Sequence, residues 1–351
     1  MSERLTAHFA EQAAYCFMFG SPFTGALMQK MSEDLVAGGP VAALIGDWPT
    51  HPRADALALR LTGALHFAAL SGRDPALASV YPPANAAPSM EAVWPVARAF
   101  LAREQAWVRD FIRSAPQTNE TRRSIALLAA FLTFAKDWRG PIDMLELGAS
   151  AGLNLNWDRF AYRTQTWSWG GDSNVQIDTD WNGAAPPLGP IAVRHRAACD
   201  LNPLDIADPQ ARLQLRAYIW PDQPDRLARF DGAAALALET GVRVERADAA
   251  AWIARKLDER ATDAATVVYH SVFLQYPPAE TRAAIVSAIE RAGAAATADA
   301  PLAWVRLEPE ALTDAVRDSP RMVIDLTTWP GGVRRILGYT DGHVRGVYAA
   351  G

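Results

Sequence analysis

The sequence predicts an α/β protein, with a helical amino-terminal region followed by a mostly parallel sheet that closes in an antiparallel carboxy-terminal hairpin. Three observations predict it. Up to about residue 138 the apolar residues recur at helical spacing, and no convincing strand interrupts them. From Gly140-Pro141 onward, short aliphatic or β-branched runs alternate with helical segments, which is the pattern of a parallel sheet covered by helices. At the end, strand-like runs are separated only by Gly331-Gly332 and Asp341-Gly342, as antiparallel pairing requires.

In chain order, Arg4–Phe19 places Leu5, His8, Phe9, Gln12 and Cys16 on one stripe, with His8 read as a core residue. Ala54–Leu70 repeats leucine at 57, 61 and 65. Met90–Ile112 is a longer helix, and Thr121–Trp138 carries Ile125, Leu128, Leu132 and Ala135. Breaks fall at Gly38-Gly39-Pro40, Tyr81-Pro82-Pro83 and Ala115-Pro116. Beyond Gly140 the expected strands are Ile142–Leu147, Ile191–Arg194, Val242–Arg246, Thr266–Tyr269, Leu302–Leu307 and Met322–Leu326. Helices are expected at Leu153–Tyr162, Pro209–Leu238, Ala250–Arg260 and Ala279–Ala292, and Arg334–Tyr339 and Val344–Tyr348 complete the terminal hairpin. Arg334 and Arg335 read as solvated hairpin charges. A tryptophan-rich insertion at 163–190, with Trp167, Trp169 and Trp181, reads either as a small hairpin or lid, or as a surface loop over packed aromatics.

Bulk properties narrow the function classes. A chain of 351 residues is long enough for two domains, expected here at 1–138 and 139–351. A net charge of -5 gives no footprint for a polyanion, so a small molecule is expected as partner and nucleic acid is not. Cys16 and Cys199 are far apart, which suits neither structural zinc nor a disulfide framework. No apolar signal core follows the amino terminus, and no apolar run approaches the roughly 20 residues that span a bilayer. A cytoplasmic location with no membrane contact is the expectation.

The chemistry concentrates at the end of Ile142–Leu147. There an acid, Glu146, precedes Gly148-Ala149-Ser150-Ala151-Gly152. Small residues let the backbone turn sharply and approach a ligand closely. A helix after the turn would offer unpaired N–H groups and a partial positive charge to an anion. Later strands end in further polar residues: Asp200 after the second, Asp248-Ala249 after the third, and His270-Ser271 at the fourth, where the strand order should reverse.

This order resembles the class I S-adenosylmethionine-dependent methyltransferases across roughly residues 140–351. The likeness rests on E-x-G-x-S-x-G at 146–152, Asp200, Asp248-Ala249, the His270-Ser271 strand end and the terminal hairpin. It implies a Rossmann-like, methyltransferase-type sheet with S-adenosylmethionine as cofactor, held by Glu146, Gly148, Ser150, Gly152, Asp200, Asp248 and Ala249. The methionine carboxylate would lie on the turn amides and Glu146 would complement the ammonium or sulfonium side. Asp200 would bind the ribose hydroxyls, and Asp248 the adenine amino group. The helical domain 1–138 would act as a lid that selects the methyl acceptor. Two departures stand out: Ser150 replaces a glycine, and Asp200 lies well beyond the usual spacing of about 20 residues. The insertion accounts for the second, and leaves Asp178 or Asp180 as alternative ribose partners. The whole chain also resembles an uncharacterised bacterial family of unknown function, through Gln117–Glu120, Glu146–Trp157, Cys199–Pro203, Trp220–Gln223 and His270-Ser271. That second likeness speaks to fold and not to reaction.

Two other functions fit parts of the pattern. Gly148–Gly152 matches the nucleophile elbow of a serine hydrolase, with Ser150 followed by Asp248 or Asp325 and then His343, but that fold needs strands before the elbow. A non-catalytic binding protein on the same scaffold is the other. A nicotinamide dehydrogenase lacks its G-x-G-x-x-G.

Several residues carry two readings each. His270 is either the general base or acceptor-orienting group, or a hydrogen-bonded core histidine. Gln275 and Tyr276 either wall the acceptor pocket or form a turn before a helix. Asn154 faces the cofactor or solvent. Asn119 and Glu120 reach the mouth of the sheet, or the loop 117–120 caps the next helix. Trp220–Gln223 adds a cofactor contact or breaks a helix.

Overall fold

The computed structural model describes residues 2–86, 88–241, 243–314, 316 and 319–350. Its contacts divide the chain into two units, one of residues 1–118 with 207–228 and the other of residues 119–206 with 229–351.

The first unit is built from helices at Ser2–Met18, Pro22–Val36, Pro40–Ile45, Leu57–Leu70, Pro75–Val80, Met90–Arg103, Gln105–Phe111 and Pro209–Ala217. Leu5, Phe9, Leu27, Met31, Leu61, Leu65 and Phe100 are among its buried core. His8 belongs to that core, its Nε2 accepting the amide of Ala58 at 3.2 Å. The expected Met90–Ile112 helix is two helices meeting at Glu104, whose φ of -103° and ψ of 27° end the first. Pro22–Val36 escaped the periodicity because its start is fixed from far along the chain. Proline occupies its first turn, and the Asp222 carboxylate accepts the Phe23 amide at 2.9 Å and the Ser21 hydroxyl. Trp220–Gln223 therefore breaks the expected Pro209–Leu238 helix into Pro209–Ala217 and Pro224–Thr240, and serves as a tertiary cap.

The second unit holds the sheet. Its strands are β1 (Ile142–Leu147), β2 (Ala161–Arg163), β3 (Ser168–Trp169), β4 (Gln176–Asp178), β5 (Asp180–Asn182), β6 (Val193–Asp200), β7 (Val244–Arg246), β8 (Ala265–Ser271), β9 (Leu302–Pro309), β10 (Met322–Trp329), β11 (Val333–Thr340) and β12 (Gly346–Ala349). A nine-stranded sheet runs β5-β12-β11-β10-β9-β8-β1-β6-β7. The stretch β7-β6-β1-β8-β9 is parallel, and β9 to β12 pair antiparallel in sequence order. The expected strands are present, with β6 shifted from Ile191–Arg194 to Val193–Asp200; Val242 lies outside the described residues. The insertion forms a separate three-stranded sheet, β3-β2-β4, and lends β5 to the edge of the large one beside β12. Trp167 and Trp181 are buried within it, edge to face with ring centroids 5.0 Å apart.

Alternation along the strands sorts the faces. Leu145 and Leu147 of β1 face a core with Val268 of β8 and with Trp252, Ile253, Ile285 and Ile289 of helices Ala249–Asp258 and Ala279–Ala294. Met144 and Glu146 point to the opposite side. There helix Ser124–Ala135, buried on nearly every residue, sets Phe131 against Tyr269 and Trp157. A helix apolar all round needs cover on all sides, which is why residues 119–138 cluster with the sheet although the texture changes only at Gly140. Arg334 is no free hairpin charge, since it joins Arg306 on the buried carboxylate of Asp325.

Candidate functional site

The parallel strands β1, β8 and β9 end on one edge, and the strand order reverses between β1 and β8. Such a reversal leaves a crevice at the carboxyl ends of the strands. Glu146 lies at this strand end, next to last in β1 and only 3% exposed. Its partner is the Tyr269 hydroxyl of β8, which donates to Oε2 at 3.2 Å. Among the described residues no Lys, Arg or His lies within 4 Å of its carboxylate. Burial pushes the Glu146 carboxyl up to about 8; the Tyr269 hydrogen bond opposes this and the nearby Asp200 charge adds to it. Burial likewise raises the Cys199 thiol to about 12, so it is no nucleophile.

The turn that follows is unusually bent. Gly148, Ser150 and Gly152 have φ of 68°, 56° and 74°, a region that costs a side-chain-bearing residue about 1–2 kcal/mol. Glycine is required at 148 for space as well, because a Cβ would sit 2.3 Å from Cδ2 of Phe273. Ser150 is held in place by its amide, which donates to Asp200 Oδ2 at 2.8 Å. Asn119, itself at φ 37°, clamps the turn from outside. Its Oδ1 accepts the Leu153 amide at 3.1 Å and its Nδ2 donates to the Ala149 carbonyl at 3.3 Å. Glu120, buried, caps Arg122 through Oε1 at 3.1 Å and offers its carbonyl to Asn154 Nδ2 at 3.4 Å.

Of the turn amides expected to grip an anion, five are bonded within the protein. Gly148 and Ala149 both donate to the Cys199 carbonyl, Gly152 to the Ala149 carbonyl, and Ser150 and Leu153 to side chains. Nor does an α-helix follow. Leu153–Arg159 is a short 3₁₀ segment kinked at Asn156, and β2 begins where Leu153–Tyr162 was expected to continue. Asparagine at 154 and 156 favours local side-chain bonding over helix propagation. Asn154 is buried rather than solvated, with Oδ1 unpartnered, and both polar atoms of the fully buried Asn156 lack a partner as well.

Gly148, Ser150, Gly152, Asp200, Asn119, Glu120 and Asn154 therefore belong to one bonded turn, which begins two residues after Glu146. The other candidates make no side-chain hydrogen bond to it among the described residues. Asp248 is exposed and caps helix Ala249–Asp258, accepting from Ala250 and Ala251 at 3.0 Å each, with Ala249 as the first helical residue. Gln275 and Tyr276 project outward from a turn in which the Tyr276 amide bonds the Phe273 carbonyl, and Tyr276 is 75% exposed. His270 is wholly buried. Its Nδ1 lies 2.6 Å from Glu308 Oε1, and Trp304 Nε1–H donates to its Nε2 at 3.0 Å, so both ring nitrogens are engaged within the protein.

Sequence reasoning missed Tyr269, Phe273, Trp304 and Glu308. One signal was present: Glu308 ends the apolar run of β9 as Glu146 ends that of β1.

A family model described as an uncharacterized protein conserved in bacteria (DUF2332) matches residues 6–348. The chain belongs to that family. The match spans both units, so the family's defining pattern includes the helical unit as well as the sheet. No curated protein and no solved structure matches the chain. No helix among the described residues is long and apolar enough to cross a membrane.

Proposed function

We propose that the crevice at the end of β1 binds S-adenosylmethionine, and that this family member transfers its methyl group to a small-molecule acceptor. One observation carries the proposal: Glu146 is a buried carboxylate at the strand-order reversal with a hydroxyl for company and no cation. A buried carboxyl without a counter-charge keeps its proton, and a cationic ligand would favour its ionised form. The ammonium and sulfonium of adenosylmethionine are such counter-charges. The parallel order β7-β6-β1-β8-β9 supports a Rossmann-like scaffold of methyltransferase type. That no strand precedes Ile142 among the described residues speaks against the hydrolase elbow, despite the positive φ of Ser150.

The residues fit the cationic end of the cofactor through Glu146, while most of the turn amides are already bonded within the protein. When bound, the sulfonium supplies an electrophilic methyl group. What the chain contributes is a carboxylate that orients the cation and a crevice that excludes water; a nucleophilic acceptor held in line then needs no dedicated base.

Calorimetry tests this with adenosylmethionine, adenosylhomocysteine and NAD. Adenosylmethionine is expected to bind and NAD not, and affinity for the cation should tighten from pH 6 to 9 as Glu146 gives up its proton. Glu146→Gln should weaken binding about tenfold or more, near 1.4 kcal/mol. Equal affinity in the variant, or no binding by the wild-type chain, overturns the assignment. Product formation with candidate acceptors separates an enzyme from a binding protein.

A further inference from the structure

The loop after β8 is held under strain. Val272 has φ 54°, where a β-branched side chain crowds its own backbone, and such a conformation persists only when the surroundings impose it. The fully buried Glu308 of β9 imposes it. Its Oε1 takes the Phe273 amide at 2.8 Å and lies 2.6 Å from His270 Nδ1, while Oε2 takes the Leu274 amide at 3.1 Å. The Val272 amide is fixed by the Leu307 carbonyl at 2.7 Å.

His270 is in turn oriented from behind. With Trp304 Nε1–H donating to Nε2, the ring must carry its proton at Nδ1 to serve Glu308 when neutral. The Trp304 ring lies 4.4 Å under the Arg306 guanidinium, which makes twin 2.7 Å bonds to Asp325. The chain of contacts has one outcome on the crevice side. The part-exposed ring of Phe273 packs at the end of the Leu145–Leu147 core and lies against Gly148, two residues beyond Glu146, so that the loops on either side of the strand-order reversal meet there.

We propose that His270 and Glu308 are a positioning pair that holds Phe273 against Gly148, and that Phe273 thereby decides which ligands fit beside Glu146. This rests on the ligand site proposed above. Neither member of the pair need touch the ligand. Their function is to keep a strained loop in the one conformation that shapes the crevice.

The test uses the full chain with adenosylmethionine and adenosylhomocysteine as probes, alongside amide hydrogen exchange. His270→Leu should lose about tenfold or more in affinity. In the same variant the Phe273 and Leu274 amides should exchange about tenfold faster, while the β1 amides keep their protection. His270→Asn, whose side-chain N–H can replace Nδ1–H toward Glu308, should stay within about threefold of wild type on both readouts. Phe273→Ala removes a part-exposed ring at the edge of the core; it should lose about tenfold in affinity with the Leu274 amide still protected. Wild-type exchange in His270→Leu, or wild-type binding by Phe273→Ala, overturns the proposal. If His270→Leu does not fold, Phe273→Ala decides it. A wild-type chain that binds neither probe sinks the adenosylmethionine reading, and the positioning pair is then judged on the exchange rates alone.

Discussion

Two strand ends on the same edge of the sheet, β1 and β9, each bury a glutamate, and their surroundings differ in kind. Glu308 is met by His270 and by the amides of Phe273 and Leu274. Glu146 is met by one tyrosine hydroxyl, with the Asp200 carboxylate nearby. The two are equally hidden from water, so burial alone distinguishes nothing. What separates them is the supply of donors. A carboxylate whose oxygens are filled by backbone amides is holding a loop in place, whereas one left with a single hydroxyl still has capacity for a ligand.

Removing the better-supplied carboxylate should have the largest effect. Glu308→Ala leaves the His270 Nδ1–H and two amides without acceptors, and each stranded buried donor costs about 1–3 kcal/mol. A loss of about 4 kcal/mol or more is expected in urea denaturation at pH 7. A loss under about 1 kcal/mol would erase the contrast between the two strand ends.

Glu146 should behave in the opposite way. Its carboxyl titrates near 8 in the folded chain against an ordinary 4.5, so the folded state keeps the proton that the unfolded state releases. The stability this brings is complete below about 4.5 and is lost as pH rises through about 8. Glu146→Gln, which never ionises, should match wild type at pH 5 and exceed it by roughly a few kcal/mol at pH 9, at about 1.4 kcal/mol per unit. Thermal melts at pH 5, 7 and 9 measure this. A variant less stable than wild type at pH 9 would mean that Glu146 has a cation partner after all.

The smallest effect sharpens the edge of the site. Asp248→Ala should cost about 1 kcal/mol as a lost helix cap and leave adenosylmethionine affinity unchanged. Weakened binding at unchanged stability would return Asp248 to the site.

Much of the framework was legible from local pattern. The apolar runs placed β1, β8, β9 and β10 to within two or three residues, and the glycines at 148 and 152 announced a turn with positive φ. Legibility failed wherever a partner came from far along the chain. Asp222 caps a helix that begins at Pro22, Asp200 holds Ser150 in a conformation serine resists, and Asn119 consumes an amide that a ligand was expected to take. Asp248, expected as an adenine-binding acid, also caps the helix that begins at the next residue, a contact the local pattern left unread.

Periodicity and glycine placement are local properties, since a residue's backbone preference and the spacing of its apolar neighbours do not depend on what folds against them. On that basis the chain alone determined a helical first region, a parallel sheet beyond Gly140, its antiparallel closure and the bend after Leu147. Which buried group is satisfied is not local. The register that sets Tyr269 beside Glu146, and the β8–β9 pairing that brings Glu308 to His270, exist only once the sheet has formed. Only the tertiary structure could therefore decide that His270 is enclosed and Glu146 is left without a counter-charge.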